Sequence, residues 1–315
     1  NDGARIQAIL NVLVSHEIDI GHQGKGRGCW TAYGYVLARG QSQVLALHDC
    51  DIVSYDRQYL ARLCYPIANP NLAYEFCKGY YSRVTDRMHG RVTRLFITPL
   101  IRSLQLLVGP HSLLSFLDSF RYPLAGEFAM VRDLAWINRI PGDWGLEVGM
   151  LAEVYRNCAL RRICQADIAD AYEHKHQTLS THNPDAGLLK MCVDITKSLF
   201  RNLASEGLVL SESTLKTLRA TYLQAAQEAI SRYENDAAIN SLRFDRHEER
   251  RAVEVFLRGM TLATDSFLED PLGVPMISNW SRVTHAVPDI FHRLMDAVEQ
   301  DHAWDPAAET RQPVS

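Results

Sequence analysis

Asp49 and Asp51 stand one residue apart in the stretch HDCDIVSY, immediately after an apolar run at residues 44–47. On an extended backbone, side chains two positions apart point to the same side, so both carboxylates can face one cation. Carboxylate oxygens suit Mg²⁺ or Mn²⁺, which proteins commonly hold with one or two carboxylates and the phosphates of a substrate. The pair therefore predicts a site for a metal ion and a nucleoside diphosphate. A solvated turn or a helix cap is the alternative that the pair alone leaves open.

Two further stretches could supply ligands. His174 and His176, in YEHKHQTLS, have the same one-residue separation. An imidazole beside two carboxylates would favour Mn²⁺ without excluding Mg²⁺, although each histidine alone is more typical of a surface or capping residue. The glycine-rich GKGRGCW offers Lys25 and backbone amides to a phosphate, or is only a flexible turn. It lacks the spacing of a P-loop, which argues against an ATPase of that class.

Two glutamates are candidates for catalysis, and one arginine-containing stretch is a candidate for anion binding. Glu127 in PLAGEF and Glu147 in DWGLEVGML each lie among glycines and apolar residues. Either glutamate could be catalytic or could cap a helix. In HGRVTRL, Arg91 and Thr93 beside Gly90 offer a guanidinium, a hydroxyl and an amide to an anion. A helix that begins with surface arginines is the alternative there.

The first half of the sequence predicts a scaffold of alternating helices and strands for these residues. Residues 4–14 carry apolar side chains at helical spacing, and residues 30–38 predict a second helix that ends near Gly40. The apolar run 44–47 predicts a strand buried on both faces. The resulting fold class is α/β, with the aspartate pair at the carboxyl end of a strand, where such sheets bind ligands.

After about residue 183 the sequence becomes helical. Apolar residues at three- and four-residue steps form stripes over residues 188–203 and 215–233. Asp245, three residues before Glu248, predicts the start of another helix. We therefore divide the chain into three parts: an α/β domain over residues 1–182, a helical region over 183–306, and a disordered tail over 307–315.

Composition narrows the possible partners and location. The net charge of −4 provides no basic face, so no nucleic-acid partner is expected. Seven scattered cysteines without a Cys-x-x-Cys pair favour neither a disulfide framework nor a zinc site, and indicate a reducing, cytoplasmic setting. No apolar run reaches the ~20 residues that cross a bilayer, so no membrane span is expected.

Taken in order, the motifs resemble those of glucosyl-3-phosphoglycerate synthases and their relatives among the retaining glycosyltransferases of GT-A fold. The matching set runs from Gly24 to Leu179 and comprises GKG with a tryptophan four residues later, DxDI, the lysine of FCKGYY, GRVT, PLAGEF, WGLEVGML and QADIADAYEHKHQTL. Any single piece is weak, and the ordered set is what carries the resemblance. It implies a nucleotide-sugar-binding GT-A domain that uses Mg²⁺ or Mn²⁺.

On the donor side, the resemblance implies a role for four residues. Asp51 and His174 match the metal ligands of the family. Asp49 matches the aspartate that lies against the donor ribose and the metal waters, and Lys25 matches a lysine near the donor nucleotide.

On the acceptor side, Gly90, Arg91, Val92 and Thr93 match the phosphoglycerate-binding run of the family. Glu147 matches the glutamate that borders the sugar and the acceptor hydroxyl, which makes it the candidate catalytic residue. The mechanism that the resemblance implies needs no protein nucleophile.

The sequence departs from the family pattern in two places. His176, a candidate acceptor-binding residue, replaces an asparagine and Gln177 replaces an arginine. We therefore expect acceptor-phosphate recognition to differ, with glycerate or another small acceptor as an alternative. Because only 23 residues precede Gly24, the chain is also expected to lack the first strands of a GT-A fold.

The sequence thus predicts a metal-dependent retaining transferase that moves a hexose, glucose in the main hypothesis, from UDP-glucose to 3-phosphoglycerate or a similar small hydroxy acid, as in compatible-solute synthesis. A mannosyltransferase that uses GDP-mannose is one alternative. A non-catalytic nucleotide-sugar-binding or structural protein is another. The apolar stripes of the helical region also predict a homodimer.

Overall fold

The computed structural model describes residues 3–169, 172, 187–274 and 276–303. The elements up to residue 169 are α1 (Ala4–Ser15), α2 (Lys25–Arg39), β1 (Val44–Leu47), α3 (Arg57–Ala68), β2 (Phe76–Tyr81), a π-helical turn (Val92–Ile97), α4 (Thr98–Val108), α5 (Ser112–Asp118), β3 (Phe128–Val131), α6 (Arg132–Ile137), α7 (Leu146–Asn157), a 3₁₀ turn (Leu160–Arg162) and β4 (Ile163–Ala169). The later ones are α8 (Gly187–Ser205), α9 (Glu212–Ile239), α10 (Arg246–Glu269), α11 (Trp280–Ala286) and α12 (Ile290–Ala303).

The strands form one four-stranded sheet in the order β1-β3-β2-β4. β3 is antiparallel to both β1 and β2, whereas β2 and β4 are parallel. β1, β2 and β4 therefore run in the same direction, and their carboxyl ends lie at the same edge of the sheet. The predicted strand at residues 44–47 is confirmed, but the expectation that both its faces are buried is wrong. Leu45 is buried on one face, whereas Ala46, on the opposite face, is exposed.

Apolar side chains cover both faces of the sheet. Phe76 and Phe128, on neighbouring strands, stack with ring centroids 5.7 Å apart and belong to the main core. The alternate residues Cys77 and Ala129 point to the other face, where they pack with the buried Leu63 of α3. This two-sided burial follows from the two-residue period of a strand and confirms the predicted α/β class.

The predicted helical character after residue 183 is confirmed over the described residues. α8 packs against α10, which packs against α9, and α9 in turn contacts α4. The predicted helix start at Asp245 is also confirmed, because its side chain accepts hydrogen bonds from the backbone N–H groups of His247 and Glu248. The predicted boundary at 182/183 and the tail at 307–315 lie outside the described residues, so the domain division remains a prediction.

Helices α11 and α12 return to the beginning of the chain. α12 packs against α1 and α2. Trp280 of α11 stacks on Trp30 of α2, with ring centroids 4.3 Å apart, and its indole N–H donates to the Trp30 carbonyl at 3.0 Å. Gly34 makes this contact possible, since a β-carbon there would collide with the Trp280 ring. Within the described ranges, no helix combines the length and apolar character needed to cross a bilayer.

Candidate active site

A cavity of about 1180 Å³ opens at the edge of the sheet where β1, β2 and β4 end. The segments that follow these strands form much of its wall, together with Trp144 and Glu147 at the start of α7. Leu188 of α8 and Glu248 of α10 also line it, so the helical region contributes to the same cavity. The position agrees with the expectation that ligands bind beyond the carboxyl ends of strands.

Three of the predicted site residues meet at one end of this cavity. The Nζ atom of Lys25 donates to Asp49 Oδ1 at 2.6 Å and to Glu147 Oε1 at 2.8 Å. Burial alone would lower the pKa of Lys25, but the two carboxylates outweigh burial and raise it. Lys25 therefore stays charged. It holds the carboxylates of Asp49 and Glu147, which lie 98 positions apart in the chain.

The glycine-rich stretch around Lys25 is the beginning of a helix and not a flexible turn. α2 begins at Lys25 itself, five residues before the predicted start at residue 30. Gly26 lies so close to the Pro141 carbonyl that any β-carbon would collide with its oxygen. The glycines therefore allow the helix to approach the 141–145 segment, which precedes Glu147.

Glu127 lies below the cavity floor and is fully buried. Its carboxylate accepts hydrogen bonds from the hydroxyls of Tyr172 at 2.8 Å and Tyr81 at 3.0 Å, and from the Asp49 backbone N–H at 3.4 Å. Burial, and then repulsion by Asp49, raise the pKa of Glu127, while the two tyrosine hydrogen bonds oppose the rise. Glu127 supports the end of β1 that carries Asp49 and neither lines the cavity nor caps a helix.

Lys78 of β2 is a second buried charge beneath this end of the cavity. Its Nζ atom donates to the Ala125 carbonyl and lies 5.4 Å from the centroid of the Phe128 ring. Burial lowers the pKa of Lys78 to about 8, against the opposing effect of Glu147 and Glu127. The signal in the sequence was a lysine within the otherwise apolar and aromatic strand FCKGYY.

The GRVT run lies at another part of the cavity wall. Gly90 has a φ of +75°, which favours glycine, and Arg91 leads into the π-helical turn. The guanidinium of Arg91 donates from Nε to Glu249 at 2.7 Å and from Nη2 to Glu248 at 2.5 Å. Thr93 is buried, and its hydroxyl has no hydrogen-bond partner among the described residues. The arginine expected to bind an anion is thus already paired with two carboxylates of α10.

The structure brings most of the predicted residues into one cavity. Its wall contains Lys25, Asp49, Asp51, Glu147, Gly90, Arg91, Val92 and Thr93. His174 and His176 lie outside the described residues. Two further cavity residues, Arg83 and Glu248, were not predicted from the sequence. The signal for Arg83 was its place as the first charged residue after β2, two positions beyond the end of the strand.

The aspartate pair fits a divalent cation. Asp51 lies in a turn at the cavity wall, next to Asp49 on the same wall, so the hard oxygen donors that Mg²⁺ and Mn²⁺ prefer are present. His48 precedes the pair and has both ring nitrogens buried without a partner in the described structure. No group of three metal-ligating side chains occurs among the described residues. A cation held by one or two carboxylates would complete its shell with water and substrate phosphates.

Known proteins resemble this chain over most of its length. The glucosyl-3-phosphoglycerate synthase of Persephonella marina is 49% identical over 305 residues, which cover 97% of this chain and 75% of that protein. The synthase of the same name from Methanococcoides burtonii is 43% identical over 305 residues, covering 95% and 74%. No family model matches the chain.

A solved structure also shows a partial likeness. Glucosyl-3-phosphoglycerate synthase from Mycobacterium tuberculosis, crystallised with Mn²⁺, UDP-glucose and phosphoglyceric acid, is 21% identical with a TM-score of 0.44. The match covers 61% of this chain and 57% of that one.

The α/β sheet, the cavity at its carboxyl edge and the two long sequence matches define a glycosyltransferase of GT-A class. More particularly, the chain belongs to the glucosyl-3-phosphoglycerate synthase family. The resemblance seen in the ordered motifs is confirmed.

Proposed function

We propose that this chain transfers glucose from UDP-glucose to 3-phosphoglycerate with retention of the anomeric configuration, using Mg²⁺ or Mn²⁺. The observation that carries the proposal is one cavity with a carboxylate-rich end, at Asp49, Asp51 and Glu147, and an end that carries Arg83 and Arg91. The first suits a cation and a nucleoside diphosphate, and the second suits a small anionic acceptor. The names of the two long-matching relatives support the same assignment.

At the donor end, Asp51 would hold the cation, and His174 remains the predicted second ligand. The bound cation would offset the negative charge that develops on the leaving nucleoside diphosphate. Lys25 fixes the directions of Asp49 and Glu147 through its two hydrogen bonds. Glu127 in turn holds the backbone of Asp49 from below.

We assign Glu147 the role of orienting the acceptor hydroxyl. It lies at the first turn of α7, is buried apart from its cavity face, and is held by Lys25. In a retaining transfer the acceptor hydroxyl must approach the face of the sugar that the leaving group vacates. A fixed carboxylate at this border would position that hydroxyl.

The test is a turnover assay with UDP-glucose, 3-phosphoglycerate and Mn²⁺, with the product analysed by NMR. We expect an O-glucoside of 3-phosphoglycerate with the α anomeric coupling of the donor, and no product after chelation of the metal. GDP-mannose in place of UDP-glucose tests the mannosyltransferase alternative. Binding of a donor without transfer to any acceptor would instead support a non-catalytic nucleotide-sugar-binding protein.

A homodimer and a cytoplasmic location remain predictions from the sequence. Sedimentation velocity over a range of protein concentrations tests the first. A single species of monomer mass at all concentrations would contradict it.

A further inference from the structure

The basic side chains of the cavity differ in whether a carboxylate already neutralises them. The described cavity wall contains Lys25, Arg83, Arg87 and Arg91. Lys25 is paired with two carboxylates, as described above, and Arg87 lies 3.4 Å from Asp86. Arg83 has no carboxylate partner among the described residues.

Arg91 belongs to a group of charges that cancel. Its guanidinium contacts Glu248 and Glu249, and Arg94 contacts Glu249 at 3.1 Å. Two arginines thus face two glutamates. An anion that approaches Arg91 meets the Glu248 carboxylate as well, so its attraction to the arginine is largely offset.

Arg83 is held in place without losing its charge. Its Nη1 atom donates to the Tyr122 hydroxyl at 2.8 Å, which orients the guanidinium, and its Nε–H is buried without a partner among the described residues. Gly90 is adjacent, because a β-carbon on it would lie 3.5 Å from the Tyr122 hydroxyl oxygen and 3.9 Å from Arg83 Cδ. The GRVT run therefore passes directly beside Arg83.

Thr93 adds a second unsatisfied polar group to the same wall. Its side chain is 9% exposed, and its hydroxyl has no partner in the described structure. Buried donors without partners are costly, and an anion with several acceptor oxygens is the ligand that satisfies a guanidinium and a hydroxyl together.

We propose that Arg83, assisted by Thr93, binds the phosphate group of the acceptor, and that Arg91 is a positioning residue that joins the GRVT run to α10. This inference rests on the proposed function, since it names the group that recognises the acceptor of that reaction. It assigns the doubly charged end of the acceptor to the arginine whose charge is not cancelled.

The test compares Arg83→Gln with Arg87→Gln, a matched control on the same cavity wall. KM and kcat are measured for 3-phosphoglycerate and for glycerate, which lacks the phosphate. Loss of a charge-assisted contact predicts a rise of about 10- to 100-fold in KM for 3-phosphoglycerate in Arg83→Gln. Glycerate kinetics and the UDP-glucose Kd should stay within about threefold of wild type, because neither ligand presents the acceptor phosphate to Arg83. Arg87→Gln should leave all of these values near those of wild type.

A second variant guards against a merely structural effect. Arg83→Lys keeps the charge and should recover part of the affinity for 3-phosphoglycerate, but not all of it, because an ammonium cannot form the two-pronged contact. Equal losses with 3-phosphoglycerate and glycerate in both Arg83 variants would indicate misfolding of the wall and would overturn the inference. An unchanged KM for 3-phosphoglycerate in Arg83→Gln would also overturn it.

Calorimetric titration of 3-phosphoglycerate separates this inference from the proposed function. If the wild type binds 3-phosphoglycerate and Arg83→Gln does not, but no glucosyl transfer occurs, the phosphate site stands and the proposed function fails. If transfer occurs and Arg83→Gln binds the acceptor normally, the reaction stands and the phosphate site fails.

Discussion

The two ends of the cavity are built from different parts of the chain. At the donor end, Lys25, Asp49 and Glu147 come from α2, the end of β1 and α7, all within the α/β part. At the acceptor end, Arg91 follows β2 but its partners Glu248 and Glu249 belong to α10. The helical region therefore contributes to the proposed acceptor site and is not only a support for the sheet.

The two ends also differ in how charge is distributed. At the proposed donor end, the single positive charge of Lys25 pairs with two carboxylates. A net negative charge therefore remains there to attract a cation. At the proposed acceptor end the arginines and glutamates of the 91–94 and 248–249 segments balance, and Arg83 has no carboxylate partner among the residues that the structure describes. The comparison shows how one cavity can favour a metal-bound diphosphate at one end and an anion at the other.

The strongest test of the donor end is Lys25→Met. This change leaves Asp49 and Glu147 facing each other without the cation that orients both. We expect kcat/KM to fall by about 10³-fold, since a preorganised charge in an active site typically contributes that much. Steady-state kinetics measures it, with Arg87→Gln as the control for a basic residue of the same wall.

A fall of less than about tenfold in Lys25→Met would show that the two carboxylates keep their positions without Lys25. The donor end would then depend on the backbone contacts of Asp49, chiefly the hydrogen bond to Glu127.

Adjacent glutamates of α10 provide a matched pair at the acceptor end. The side chain of Glu249 is 5% exposed and binds Arg91 and Arg94, whereas that of Glu248 is 46% exposed and binds Arg91 alone. Glu249→Gln should lower the free energy of unfolding by about 3 kcal/mol, because it leaves the largely buried Arg94 without its carboxylate and removes one of the two carboxylates that pair with Arg91. Glu248→Gln should cost less than about 1 kcal/mol. Urea unfolding measures both, and equal costs would contradict the assigned difference in burial.

The smallest expected effect concerns the buried lysine and depends on pH. Because the pKa of Lys78 is about 8 in the folded chain and 10.5 is its ordinary value, the unfolded chain binds more protons between these values. Wild type should therefore gain stability relative to Lys78→Met as pH rises, by about 2 kcal/mol from pH 7 to 9.5. The charged groups that face Lys78 are Lys25, Asp49, Glu127 and Glu147, and they are present in both proteins.

Urea unfolding of both proteins at several pH values measures this difference. The pKa of Lys25 is raised, so the stability that Lys25 contributes is lost only as the pH rises above the ordinary pKa of a lysine. Because Lys25 is present in both proteins, its contribution largely cancels in the difference between them. A difference that does not change with pH would mean that Lys78 keeps an ordinary pKa.

Features that depend on neighbouring residues could be predicted from the sequence. β1, the first helix and the cap at Asp245 follow from short apolar patterns and a side chain that bonds to nearby amides. The reversed direction of β3 and the place of β1 at the edge could not be predicted, because strand order depends on pairings between distant segments.

The candidate site shows the same limit. The ordered motifs predicted Lys25, Asp49 and Glu147, and the structure brings them within hydrogen-bonding distance. The pairing of Arg91 with Glu248 joins positions 157 residues apart, and nothing in either motif indicates it. That Arg83 has no carboxylate partner within the described part of the chain can be seen only once the partners of the other arginines are known.

The stacked pair Trp30 and Trp280 has a consequence for synthesis on the ribosome. α2 carries Lys25, yet the ring that covers this helix belongs to a residue made 250 positions later. A nascent chain can form the sheet first, as the amino-terminal part of a protein emerges first, but it leaves Trp30 uncovered until α11 emerges. The helix that supplies Lys25 therefore reaches its final packing late in translation, and the enzyme matures only when the helical region is in place.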